Sequence, residues 1–207
     1  NEGAILAARA GRTEITMADL EEASEKVQMG PEKKSKVVPE DEKKMVAYHE
    51  VGHGIVGYII GGGDRVHKIT MIPRGQAGGY TLSLPEEEKS FHSKKYMLDR
   101  IARYFGGRAA EEIIFGKENI TDGAGSDIYY ATLIAKDIVT KYGMTEKFGP
   151  VFLEATEEDY MLQRKYYSEQ TGKEVDDEIR KIITEQYSRA KNILLDNRDK
   201  LEEVTNI

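Results

Sequence analysis

Cysteine is missing altogether from the 207 residues. That excludes a disulfide scaffold and any Cys-ligated zinc site, so a metal here would have to be held by His, Asp or Glu. A reducing compartment is compatible with the absence. No apolar run comes near the ~20 residues that a membrane span needs, and no signal-peptide pattern is visible. Basic residues do not predominate: 30 Lys and Arg stand against 37 Asp and Glu, for a net charge of -7 and a pI near 5.3. A surface of that sign argues against nucleic acid as a partner. Repeats and low-complexity segments are absent as well. What is present is 39% hydrophobic and 32% charged, with a mean hydropathy of -0.57. This is the composition of a soluble, helix-rich chain with one substantial core, or one domain plus a fragment of another. The opening Asn1-Glu-Gly-Ala-Ile-Leu-Ala-Ala-Arg9 starts inside a helical pattern, which is expected of a piece cut from something larger.

The most informative stretch is His49-Glu50-Val51-Gly52-His53, within a run from Lys44 to Tyr58 that reads as helix. Histidines four apart on a helix lie one turn apart on one face, so both imidazoles can reach a single metal ion. The glutamate beside the first histidine is placed to take a proton from water at that metal. This is the HExxH arrangement of zinc peptidases. Gly52, Gly54 and Gly57 lie in the same helix, where each costs up to ~1 kcal/mol relative to Ala. Their presence beside a metal motif predicts that another backbone or a ligand passes close by.

Around this motif the pattern is mainly helical. Residues 1–10 read as an Ala-rich helix stopped near Gly11, and Thr16 offers an N-cap, with Asp19 in the first turn, for a helix to about Met29. Gly30 to Pro39 is charged and flanked by prolines, and reads as a linker. The motif helix is expected from Pro39-Glu-Asp-Glu42 to about Ile60, ending at Gly61-Gly-Gly63. Two alternating stretches, Val66–Ile72 and Tyr80–Leu84, read as strands around the Gly-rich loop 73–79. An exposed strand edge next to such a helix can hold an extended peptide by backbone hydrogen bonds, whatever its sequence. The plainer alternative is a hairpin that closes one side of the core. Helical periodicity returns from Ser90 to Gly116, with Gly106-Gly107 marking a break, a kink or tight helix packing. Ser126 is the expected cap of a helix from Asp127 to Tyr142. Val151-Phe-Leu153 could form an extra strand, and Tyr160–Leu162 with Tyr166-Tyr167 reads as a mobile loop. A last helix starts near Val175 and carries Ile179, Ile182, Ile183, Ala190 and Leu201 on its apolar side.

A catalytic zinc usually takes three protein ligands and a water. The remaining histidines, His67 and His92, fall in a strand and at a helix start, where ordinary exposed or satisfied histidine is the better account. The carboxylate candidates for the third ligand are Glu111, Glu112, Asp122 and Asp127. Asp127 follows the Gly-rich turn Asp122-Gly-Ala-Gly-Ser126, which lets the backbone approach a site closely. It could equally be a first-turn acid complementing the helix dipole. The residues alone leave this open.

The run Val46-Ala-Tyr-His-Glu-Val-Gly-His-Gly54 resembles the zinc helix of the FtsH family, the membrane-anchored AAA+ zinc proteases. Gly106-Gly-Arg-Ala-Ala-Glu-Glu-Ile-Ile-Phe-Gly116 and Asp122-Gly-Ala-Gly-Ser-Asp-Ile128 are similar to further motifs of that family, at compatible spacing. Asn1 to Val27 resembles the last helices of its ATPase lid. The resemblance implies a fragment of the AAA+ lid at 1–30, a linker at 31–39 and a zinc peptidase domain at 40–207. It implies a mainly α fold with a small β-hairpin beside the HExxH helix. It further implies Zn2+ held by His49, His53 and Asp127, Glu50 as general base, and Glu111 supporting a ligand. The family's substrate strand maps onto Gly78–Leu84. Also implied are unfolded polypeptide substrates, a homohexamer and a role in protein quality control. The parent would use ATP in a separate domain and sit in the bacterial inner membrane with this part facing the cytoplasm, the fragment itself being soluble. The rival function is a non-catalytic, zinc-stabilised module that assembles the ring. The chain departs from the family at Asp122, where a hydroxyl residue is usual, and at Gly125-Ser126, where Ser-Asn is common. The extra carboxylate keeps Asp122 as a rival ligand. Neither a transmembrane segment nor the Gly-Lys-Ser/Thr phosphate loop occurs in these residues.

Overall fold

In the computed structural model of the chain, residues 1–33, 38–75, 78–85, 87, 90–154 and 167–206 are described. Two helices come first, α1 (Glu2–Arg9) and α2 (Met17–Met29), packed as a hairpin. The Thr16 side chain accepts from Asp19 N and the Asp19 carboxylate accepts from Thr16 N, a reciprocal capping box that satisfies two otherwise orphaned donors. Gly30, at a φ of 93° that disfavours other residues, ends α2 as the sequence predicts. Residues 32 and 33 just beyond it are held: Lys33 N donates to Pro73 O at 2.8 Å, and Glu32 bridges to Arg74.

Helix α3 (Glu40–Ile60) is the axis of the molecule. Glu40, Asp41 and Glu42 complement its positive end, and Gly61 at φ 61° ends it. The strands β1 (Asp64–Thr70) and β2 (Tyr80–Pro85) form an antiparallel hairpin with an irregularity between Val66 and Lys68. β1 begins and ends two residues earlier than its alternation suggests. The irregularity changes which residues face α3. As a result Val66 and Ile69 share one face, and they pack on Gly57 and Gly54 of α3.

The expected helix from Ser90 to Gly116 is two helices, α4 (Lys94–Tyr104) and α5 (Gly106–Phe115), broken at Phe105. The break lets α5 cross α3 backbone to backbone. A Cβ on Gly52 would lie 2.7 Å from Ala110 Cβ and even closer to Gly106 O, and one on Gly106 would lie 2.8 Å from His53 Cα. Gly52 meets another backbone, that of α5, as the sequence implies, whereas Gly54 and Gly57 make room for the Ile69 and Val66 side chains of β1.

Helix α6 (Gly125–Lys136) continues into a π-helical turn at Asp137–Lys141. Ser126 does not cap it. The helix begins two residues earlier than expected, at Gly125, following a 3₁₀ turn at Asp122–Ala124 in which the Thr121 hydroxyl accepts from Gly123 N. Val151-Phe-Leu153 is not a strand, because Leu153 N is taken by Thr140 O at the end of the π turn. The loop expected at Tyr160–Leu162 and Tyr166 lies outside the described residues. The last long helix, α7 (Glu169–Asp196), starts well before Val175 because the Ser168 hydroxyl caps it, accepting from Thr171 N at 3.1 Å. A short α8 (Arg198–Thr205) follows.

One core joins α3 through α8. Val56, Ile101, Ala109, Ala110, Ala131, Ala135, Ile138, Val139, Ala190, Leu194 and Leu201 are all fully buried within it. Its many alanines keep the helices close, while each buried Ile or Leu contributes about 1.5–3 kcal/mol. No helix among the described residues is long and apolar enough to cross a membrane.

Candidate metal centre

His49 and His53 lie on the buried stretch of α3 that faces α5 and α6, and their Nε2 atoms are 3.1 Å apart. Asp127, in the first turn of α6, brings Oδ2 to 3.3 Å from His49 Nε2 and 3.4 Å from His53 Nε2. Among the described residues these three form the one cluster of His, Asp and Glu able to share a metal ion. Donor atoms on a zinc tetrahedron, with bonds of about 2.0–2.1 Å, lie about 3.3 Å apart, which is the spacing seen.

The other ring nitrogens decide what the Nε2 atoms can do. His49 Nδ1 lies 2.6 Å from Glu111 Oε1, and His53 Nδ1 lies 2.8 Å from the carbonyl oxygen of Arg103. A carbonyl or a carboxylate only accepts, so each Nδ1 carries a proton, and each ring when neutral presents a lone pair at Nε2. Two lone pairs and a carboxylate oxygen then converge with no donor among them. Such a set repels itself unless a cation lies at its centre, so the residues fit a divalent metal such as zinc.

The titration behaviour points the same way. Burial pulls the His49 imidazole down, but its hydrogen bonds with Asp127 and Glu111 outweigh this and push it up to about 9. Burial likewise opposes ionisation of Asp127, and hydrogen bonds with His49 and His53 bring it down to about 2. A proton on His49 supplies positive charge that the cluster demands.

Glu111 is buried, yet Thr121 N at 2.7 Å, Thr121 Oγ1 at 3.1 Å and His49 keep it ionised, holding its pKa below the usual carboxylate range against the effect of burial. It grips a histidine and is not within the three-atom cluster. Its neighbour Glu112 turns the other way, to Lys191 at 2.8 Å and to the Tyr187 hydroxyl. Asp122 is exposed in the 3₁₀ turn, on the wall of the cleft and outside the cluster. His67 is exposed on β1, and His92 stacks on Tyr96 at 4.5 Å.

Glu50 sits beside His49, nearly buried, on the wall of a cleft of about 1070 Å³ that the cluster and β2 share. The Thr81 hydroxyl lies 2.9 Å from Glu50 Oε2 and 2.8 Å from the Glu50 carbonyl oxygen. Backbone closeness continues at Gly79, where a Cβ would stand 2.7 Å from Thr70 O and 3.1 Å from Glu50 Cγ. Sequence reasoning missed Thr81, Thr121 and the Arg103 carbonyl. Each acts through the fold, and a lone threonine or a backbone oxygen leaves no mark in a sequence. In the sequence Gly107 stands out only as part of a Gly-Gly pair, yet a Cβ there would collide with the His49 ring.

The sequence model of peptidase family M41 matches residues 36–207. The chain is 48% identical over 211 aligned positions to the ATP-dependent zinc metalloprotease FtsH of Caldicellulosiruptor bescii, covering 100% of this chain and 34% of that protein. To the protein of the same name from Bacillus subtilis it is 47% identical, covering 98% of this chain and 32% of the relative. For Thermotoga maritima the identity is 44%, with 100% and 35% covered. The chain thus spans about a third of the length of these curated relatives.

Proposed function

The chain belongs to peptidase family M41, and on that premise we propose that it is the zinc-dependent endopeptidase domain of an ATP-dependent, FtsH-like protease that cleaves unfolded polypeptides. The observation that carries the reading is the convergence of His49 Nε2, His53 Nε2 and Asp127 Oδ2 in a cleft that Glu50 and a strand edge also line. In it His49, His53 and Asp127 hold the metal. Zinc bound there supplies Lewis acidity, which makes water a nucleophile at neutral pH and polarises the scissile carbonyl.

Glu50 accepts the proton of the attacking water on its carboxylate and returns it to the nitrogen of the departing amine. Thr81 fixes one Glu50 oxygen, so that the other is oriented towards the reacting atoms. Glu111 and the Arg103 carbonyl keep the two imidazoles in the tautomer that binds metal. Among the described residues β2 pairs only with β1, and its other edge can take an extended chain along Gly78–Leu84 by backbone hydrogen bonds. Recognition by backbone suits a substrate that is unfolded and of no fixed sequence.

Residues 1–30 are then the end of the ATPase lid, 31–39 the linker and 40–207 the peptidase domain. In the parent, ATP drives unfolding in the separate ATPase domain, the subunits form a homohexamer, and a segment outside this chain anchors them at the bacterial inner membrane facing the cytoplasm.

Glu50→Gln tests the mechanism. One zinc per chain should be retained while casein cleavage falls by at least about a hundredfold, the scale of lost general-base catalysis. Normal cleavage by that variant would refute the role given to Glu50.

A further inference from the structure

A two-stranded sheet has little stability of its own, so its position is set by whatever flanks it. Here the hairpin is sandwiched. One face rests on α3 through Val66 and Ile69, against Gly57 and Gly54. The opposite face meets α2, a helix outside the residues that match the peptidase family. That second contact is polar and unusually specific. Glu25 of α2, only 5% exposed, accepts from the Tyr80 hydroxyl at 2.5 Å and from Lys68 Nζ at 2.8 Å. Arg74, 1% exposed, lies at 2.5 Å from Glu22, 2.9 Å from Glu32 and 3.1 Å from Glu25. Buried ion pairs of this kind add little net stability, because desolvation offsets their attraction, but they demand one geometry.

Tyr80 and Thr81 are adjacent in β2 and point to opposite faces. Tyr80 is held by Glu25 of α2, and Thr81 holds Glu50 of α3. A continuous connection therefore runs from α2 through one strand to the proposed general base. We propose that α2 is the outer support of the peptide-binding strand, with Glu25 and Tyr80 as positioning residues that set where the edge of β2 lies beside Glu50. Whatever displaces α2 displaces that edge. This rests on the peptidase reading above and adds to it a means by which the part of the chain before the peptidase domain governs substrate affinity.

The test uses the zinc-loaded 207-residue chain with Tyr80→Phe, Glu25→Ala and both together. Tyr80→Phe keeps the ring and removes only the hydroxyl, and Glu25→Ala leaves Arg74 two carboxylates. Amide hydrogen exchange is measured without substrate, and KM and kcat are measured on an unstructured peptide. Each single variant should speed exchange of the β2 amides about tenfold and raise KM three- to tenfold, with any fall in kcat smaller than the rise in KM and one zinc per chain. The double variant should exchange no faster than Glu25→Ala, because both changes break the same link. Unchanged β2 exchange in the single variants, additive effects in the double, or a loss confined to kcat overturns the proposal. Exchange decides the support by itself, whereas turnover by the unaltered chain decides the peptidase reading separately.

Discussion

Replacing Gly107 with Ala separates local propensity from tertiary geometry. Helix propensity alone favours the change by at most about 1 kcal/mol, since Gly107 lies in the first turn of α5. The structure opposes it. The added methyl would stand 2.5 Å from both Cδ2 and Cε1 of His49, and closer still to Nε2. The ring cannot retreat, because its Nδ1 is held 2.6 Å from Glu111, which Thr121 fixes in turn. Overpacking of this kind costs about 1–3 kcal/mol, leaving a net destabilisation of about 0–2 kcal/mol once the full propensity gain is counted.

In a chain of this size that lowers Tm by at most about 8 °C, taking about 2–4 °C per kcal/mol. Zinc affinity should suffer far more, falling at least about tenfold to a hundredfold, because the methyl turns a ligand away from the metal. Thermal melts of the metal-free variant and zinc titrations against a competing chelator measure the two effects. Ala at Gly125 serves as control: φ there is -59° and nothing lies within 4 Å of a Cβ, so zinc affinity should not change. If Gly107→Ala instead raises Tm by 2–4 °C, as propensity alone predicts, and binds zinc normally, the close approach of α5 to His49 is not what positions the ligand.

Glu111→Gln should keep the fold and weaken zinc about tenfold to a hundredfold, which chelator competition would detect; unchanged affinity would mean that His49 orients itself without help. Asp127→Ala should abolish stoichiometric zinc, while Asp122→Ala leaves it at one per chain; the opposite pattern in metal analysis would move the third ligand to Asp122. Acid stability should depend on Glu112, whose carboxyl is held below its ordinary range by Lys191 and then Tyr187. A depressed folded-state pKa gives stability that is present above the unfolded value of about 4.3 and is lost as pH falls through the folded value. Denaturant midpoints of the unaltered chain and Glu112→Gln should therefore differ steadily from about pH 6 to 9 and converge below about pH 4. A constant gap down to pH 3 would refute the linkage.

What the sequence determined is what lies within one helix or one cap. His49 and His53 share a face because a helix turns once in about 3.6 residues, and no tertiary contact is needed to say so. The Thr16 cap and the stops at Gly30 and Gly61 are equally local, and so was the need for something to pass close to Gly52, Gly54 and Gly57. Local pattern failed where a neighbour overruled it. The irregular β1 register and the Leu153 amide claimed by the π turn each depend on distant backbone.

The carboxylates were beyond it for the same reason. Glu111 and Glu112 are adjacent in sequence, yet about 100° apart around α5, so one grips His49 and the other joins Tyr187 and Lys191 on α7. Asp122 and Asp127 are five residues apart, and only the turn into α6 brings Asp127 within 3.4 Å of both imidazoles. Periodicity gives the face of a helix but not the angle at which two helices cross. Here glycines meeting across α3 and α5 set how Glu111 reaches His49, and the turn into α6 sets how Asp127 reaches both histidines.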